Sequence, residues 1–167
     1  MRSGYRWMGF VLLLLAQSAS AAEPFACRVE PRFSSDGSIG QAVIEAIRQT
    51  KGRLVLALYG FDNVALADEL VGLAKKKVEV RLKVDAGRSA GSKVARIIER
   101  LKAGGVQVQT VASNGRNHNK FAIIDGARVL TGSYNWTFKA ENNWENLLLL
   151  DCPELAKRYE VEWEKIH

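Results

Sequence analysis

The sequence predicts an α/β protein: a mixed, mostly parallel β-sheet flanked by helices on both faces. Three observations carry that expectation. Short apolar runs alternate along the chain with segments of helical spacing, the pattern of strands and crossover helices. The composition is that of a globular protein, 47% hydrophobic and 25% charged, which excludes collagen, coiled-coil and disordered classes. The 167 residues suit one domain large enough to bury a core without staples, and too small for two.

Taken in order, residues 25–33 read as a first strand and 34–38 as a polar turn. Ser38 and Gln41 form a capping-box pattern, and Ile39, Val43 and Ile47 recur at helical spacing up to Gly52. Residues 54–59 are a short apolar run, hence a buried strand. Asp62 or Asn63 can cap a helix over 64–76. Val78, Val80, Leu82 and Val84 alternate with charged residues, a half-buried strand. A Gly/Ser loop over 85–92 holds Arg88. A helix over 93–103 stops at Gly104-Gly105, and a strand follows over 106–111. After a loop at 112–117, strands over 121–124 and 128–131 are joined across Asp125-Gly126, a hairpin signal. Residues 147–150 form a last core strand. Pro153 then opens a helix running to about Ile166.

The N-terminus reads differently. Arg2 and Arg6 precede an apolar stretch over 8–16, and Ala19 and Ala21 sit in a small-residue run. This is the pattern of a cleaved signal peptide over 1–21, leaving 22–167 as one domain in a periplasmic or secreted protein. The apolar stretch is shorter than the about 20 residues that span a bilayer. An uncleaved anchor, and a lipid-modified Cys27, are the alternatives. The net charge is +6, with Lys+Arg 24 against Asp+Glu 18. Removing the two leader arginines brings it to +4, a modest basic excess compatible with an anionic partner. Cys27 and Cys152 are the only cysteines, and export permits a disulfide between them. Two buried free thiols are the alternative. Two histidines and two cysteines are too few for a His-based or Cys-rich metal site, so neither metal nor cofactor is expected.

Chemistry concentrates in one stretch. In an extended segment residues two apart share a face, so His118 and Lys120 point the same way. A neighbouring strand can return Ser133 and Asn135 to the same end. An imidazole, an ammonium, a hydroxyl and an amide in one place suit a tetrahedral anion, above all a phosphodiester. Glu145 can fix the imidazole tautomer and stabilise its charged form. Singly, each residue has a plain reading: a solvated histidine or lysine, a turn aspartate at Asp125, a bulge at Gly132-Ser133. Their joint spacing gives them weight.

That spacing, His118-x-Lys120-x4-Asp125-x6-Gly132-Ser133-x-Asn135, resembles the HxKx4Dx6GSxN motif of the phospholipase D superfamily. The chain is most similar to its small, single-motif bacterial endonuclease branch. Trp136-Thr137 and the pair Glu145-Asn146 fit as well. The resemblance implies catalytic roles for His118, Lys120, Asp125, Ser133, Asn135 and Glu145. It also implies a mechanism: one histidine attacks phosphorus to form a phosphohistidine, and a second protonates the leaving oxygen and then activates water. With one motif per chain, and nothing motif-like around His167, the second His118 must come from a second copy, in a homodimer with a shared site.

Nucleic acid, DNA or RNA, is the expected substrate. The chain has no insertions to grip lipid, and Arg88, Arg116 and Lys139 lie where they can hold flanking phosphates alongside Lys120, Ser133 and Asn135. Tyr134 and Trp136 are candidates to stack on bases, or core residues. The rival readings are a phospholipase D-type hydrolase of phospholipids, cardiolipin or phosphatidylcholine-like, at a membrane surface, and a non-catalytic nucleic-acid binding module.

Overall fold

A computed structural model of the chain describes residues 25–112 and 115–167. The signal segment expected over 1–21 lies outside the described residues. The elements run β1 (Arg28–Phe33), α1 (Ile39–Ile47), β2 (Arg53–Leu58), α2 (Val64–Lys75), β3 (Glu79–Asp85), α3 (Ala86–Ser89), α4 (Ser92–Ala103), β4 (Gln107–Val111), β5 (Lys120–Ile124), β6 (Arg128–Gly132), a 3-10 turn (Phe138–Asn142), β7 (Asn146–Asp151) and α5 (Pro153–Lys165). Local chemistry explains the boundaries. Ser38 caps α1 by accepting from the Gln41 amide at 3.0 Å. The reciprocal half of the capping box is absent, because the Gln41 side chain turns to Glu45 instead. Asn63, not Asp62, caps α2 through the amides of Ala65 and Leu66.

The strands form a seven-stranded sheet in the order β1-β7-β6-β5-β2-β3-β4. The expected class stands, a mixed sheet with helices on both faces, but the balance of pairing differs from the mostly parallel sheet the sequence suggests. Five strands, β1, β2, β3, β4 and β6, point one way, yet only β2·β3 and β3·β4 are parallel neighbours. The other four adjacent pairs are antiparallel. The reason is connection length. Crossover helices α2 and α4 produce the parallel pairs, whereas the tight link from Ile124 to Arg128 can only make a hairpin. In that turn Asp125 and Gly126 both take positive φ, 50° and 64°.

β2 lies at the centre, and Leu54, Val55, Leu56, Ala57 and Leu58 are at most 1% exposed. Leu54, Leu56 and Leu58 share one core with residues of α1, α2 and α4, while Val55 and Ala57 share the other with Ala156 and Trp163 of α5. Burial of each large aliphatic side chain contributes about 1.5–3 kcal/mol. β3 is less open than its alternation implies. Lys83 is 5% exposed: its Nζ donates to the Trp163 carbonyl at 2.8 Å and stands 3.9 Å from the indole centroid. Burial pulls the Lys83 pKa below the ordinary lysine value.

The pairing of Arg28 with Asp151 places Cys27 opposite Cys152 in the next position. Their Cα atoms are 5.0 Å apart and their sulfurs are bonded. This disulfide fastens β1, an edge strand of mainly exposed residues, to β7.

Candidate active site

The site forms where four neighbouring strands end together. Lys120 pairs with Leu58, and one step further the Tyr59 amide donates to the Asn119 carbonyl at 2.8 Å. Phe121 pairs with Thr131, which brings Gly132 beside Lys120. Gly132 in turn pairs with Leu147. Tyr59, His118, Lys120, Ser133 and Glu145 therefore lie at one end of the sheet's interior strands. Gly132 is required there: a Cβ would meet the Asn146 carbonyl oxygen at 2.2 Å. Ser133 and Asn135 follow β6 directly and are not themselves within a strand.

A buried polar network holds the histidine segment. Asp85, at the end of β3, accepts from the Asn117 amide through Oδ2 at 3.0 Å and from the Arg88 amide through Oδ1 at 3.0 Å. The Asn117 side-chain amide donates to the Lys83 carbonyl at 3.3 Å and accepts from Asn119 at 3.0 Å. Asp85 and Asn117 are both 5% exposed. One carboxylate thus fixes both α3 and the loop that presents His118. Sequence reading placed Asp85 merely at the start of a loop; its signal was an acidic residue ending an otherwise apolar strand.

His118 is exposed and packs against Tyr59, with ring centroids 4.3 Å apart and planes at 46°. Lys120 Nζ donates to the His118 carbonyl at 2.9 Å and stands 3.2 Å from His118 Nδ1. Burial lowers the Lys120 pKa, with the Glu145 carboxylate opposing that shift. Asn135 presents a buried Oδ1 with no hydrogen-bond partner among the described residues. It sits beside Gly60, where a Cβ would come within 3.6 Å of it. The orphaned atom is an amide oxygen, an acceptor that only a donor can satisfy, and leaving it unpaired costs about 1–3 kcal/mol.

Two expected roles change. Asp125 is at the far end of β5, five residues and so about 16 Å from Lys120. Its carboxylate accepts from the amides of Lys51, Gly52 and Arg53, each at 2.9 Å. Burial would raise its pKa, but the three backbone donors outweigh that and hold it below the usual carboxylate value. Asp125 ties the β5–β6 hairpin to the start of β2 and does not join the site. Glu145 is at the site, but within one chain it does not bond His118. It accepts from Ser133 Oγ and from the Asn143 side chain, so here it orients the serine. Ser133 Oγ in turn accepts from the Asn146 amide at 3.1 Å.

Arg88 lies in α3, not in an open loop, and its guanidinium is 5.2 Å from the Tyr59 centroid. Arg116 Nη1 donates to the Tyr59 hydroxyl at 3.0 Å. Tyr59, which the sequence marks only as a strand end, therefore stands against four of the expected site residues, His118, Lys120, Arg88 and Arg116. Tyr134 and Trp136 are each 2% exposed; they are core residues and offer no face to a base. Lys139 lies exposed in the 3-10 turn. Among the described residues no three His, Cys, Asp or Glu side chains cluster as metal ligands would, and no helix is long and apolar enough to cross a membrane.

Residues 43–167 match the family model described as "Cardiolipin synthase, PLD-like domain". The mitochondrial cardiolipin hydrolase of Xenopus laevis is 33% identical over 139 residues, covering 81% of this chain and 64% of that protein. A phospholipase D of Rickettsia prowazekii is 26% identical over 145 residues, covering 86% of this chain and 70% of that protein. The chain thus spans less than two thirds of the cardiolipin hydrolase's length. Among solved structures, Nuc from Salmonella typhimurium, a phospholipase D family member, superposes with a TM-score of 0.80 at 26% identity, covering 84% of this chain and 94% of that one. With the family model matching residues 43–167, the stretch that carries His118, Lys120, Ser133 and Asn135, the chain belongs to the phospholipase D superfamily and resembles its small single-motif branch.

Proposed function

We propose that the protein is an exported, metal-independent phosphodiesterase that cleaves nucleic acid as a non-specific endonuclease, through a phosphohistidine formed in a homodimer. One observation carries the reading: a single His118-Lys120-Ser133-Asn135 set lies at one end of the sheet's interior strands, beside Arg88 and Arg116, which make no ion pair among the described residues. Lys120 and Asn135 hold the non-bridging oxygens of a phosphate and stabilise the charge that builds on them. His118 of one copy attacks phosphorus and forms a P–N bond as the P–O bond breaks. His118 of the second copy gives its proton to the departing oxygen, then takes one from the water that hydrolyses the phosphohistidine. Contacts to backbone phosphates carry no sequence information, hence low specificity. Export rests on the leader pattern of residues 1–21.

A second reading has its own support. Curated relatives are named mitochondrial cardiolipin hydrolase, and Trp144 and Phe138 are 89% and 68% exposed, as suits a membrane surface. The same chemistry would then act on a phospholipid. The deciding experiment offers purified protein plasmid DNA, RNA and cardiolipin vesicles side by side in excess chelator. The endonuclease reading expects cleavage of nucleic acid, abolished by His118→Ala. Turnover of lipid alone selects the second reading, and a requirement for divalent ions overturns the metal-free mechanism. Subunit mixing tests the dimer. After exchange with an equal amount of His118→Ala protein, wild-type subunits should retain about half their activity, because mixed dimers hold one imidazole. Full retention overturns the shared site.

A further inference from the structure

Three cations surround one aromatic ring at the site. Arg116 donates to the Tyr59 hydroxyl at 3.0 Å. The Arg88 guanidinium lies 5.2 Å and the Lys120 ammonium 5.4 Å from the ring centroid, within the range of cation–π attraction. His118 packs on the same ring at 4.3 Å. Among the described residues neither arginine has a carboxylate partner within ion-pair distance, although nine other ion pairs form across the molecule. Neighbouring like charges repel one another, and an arriving anion relieves that repulsion.

Tyr59 is well held for this purpose. It immediately follows the buried strand β2, and its own amide is bonded to Asn119 between His118 and Lys120. Ring and histidine segment are consequently parts of one rigid end of the sheet. Lys120 faces the His118 imidazole, whereas Arg116 is bonded to the phenol oxygen, the end of the side chain away from the backbone. Lys120 thus stands beside the imidazole, and both arginines stand against the tyrosine that packs on it.

We propose that Tyr59 is a positioning residue that gathers Arg88 and Arg116 into a subsite for a second phosphate, adjacent to the one held by His118 and Lys120. The shared chemistry is a substrate with two nearby phosphodiesters. Resting on the phosphodiesterase reading, the inference adds a preference for polyanions over isolated diesters. A planar guanidinium fixed at one end by the phenol oxygen loses less freedom on gripping a phosphate than a free one.

The test compares KM for one-phosphate and multi-phosphate substrates in two arms. The first uses thymidylyl-thymidine against oligothymidylates of three to ten nucleotides. The second uses phosphatidylglycerol against cardiolipin in mixed micelles. In wild-type protein a second phosphate should lower KM by about tenfold, the worth of one charge-assisted hydrogen bond. Tyr59→Phe, which keeps the ring and removes the hydroxyl, should bring that ratio towards one, and Arg116→Ala should do the same. The folded state is checked by circular dichroism. Collapse of the ratio in the nucleotide arm supports both the subsite and the nucleic-acid reading. Collapse in the lipid arm alone keeps the subsite and discards the nucleic-acid substrate. No gain from a second phosphate in either arm, or a gain that survives in both variants, overturns the proposal.

Discussion

Replacing Asp125 by alanine separates a structural aspartate from a catalytic one. In the wild-type protein its carboxylate accepts three backbone hydrogen bonds, from Lys51, Gly52 and Arg53, each at 2.9 Å. The side chain is exposed, so water partly replaces these bonds, and each is worth about 0.5–1 kcal/mol. Asp125 also has φ 50°, where alanine loses about 1 kcal/mol relative to aspartate. Together the loss is about 3 kcal/mol. For a chain of this length that lowers Tm by about 6–12 °C. Asp125→Asn retains the turn preference and one acceptor, so it should lose about half as much. The pH dependence has a definite sign. The folded pKa of Asp125 is depressed, so its stabilisation is complete above the unfolded carboxylate value near 4 and fades as pH falls through the folded value. The gap in Tm between wild type and variant should therefore be full at pH 7 and narrow below about pH 4. Thermal unfolding measures the stability, and turnover of bis(p-nitrophenyl) phosphate per folded molecule measures the chemistry. If Asp125→Ala keeps its Tm but loses a hundredfold or more in kcat, the structural assignment is wrong.

Two further outcomes follow from the site and the edge strand. Lys120→Met should lower kcat by about a hundredfold or more without lowering Tm at pH 7. The folded pKa of Lys120 is depressed by burial, so its charge opposes folding at neutral pH, and that cost is relieved only as pH rises through the folded value; a drop in Tm would show that its contacts outweigh its desolvation. Cys27→Ser or Cys152→Ser should cost about 2–5 kcal/mol, since the bridge closes a separation of 125 residues; unchanged denaturant midpoints with and without reductant would show that β1 docks without it.

Much of the fold was legible because it rests on local rules. The period of Ile39, Val43 and Ile47, the caps at Ser38 and Asn63, Pro153 at the first turn of α5, and the Asp-Gly turn each act within a few residues. Neighbour relations were not local. Whether β5 would lie beside β2 or elsewhere depends on how the whole core closes, and the antiparallel majority follows from that choice. The cover over Lys83 was equally hidden, since Trp163 stands 80 positions away along the chain.

The candidate site divides in the same manner. The order of amino acids alone determined which groups are present, His118, Lys120, Ser133, Asn135 and Glu145, because residue type and spacing along a strand fix chemistry and facing. Only the tertiary structure decided which of them meet. It sent Asp125 to the opposite end of β5, gave Glu145 to Ser133, and brought Tyr59 from β2 against His118 with two arginines around it. The physical reason is that a strand's direction and register are settled by burial of its apolar face across the entire sheet, a free energy that no short segment contains.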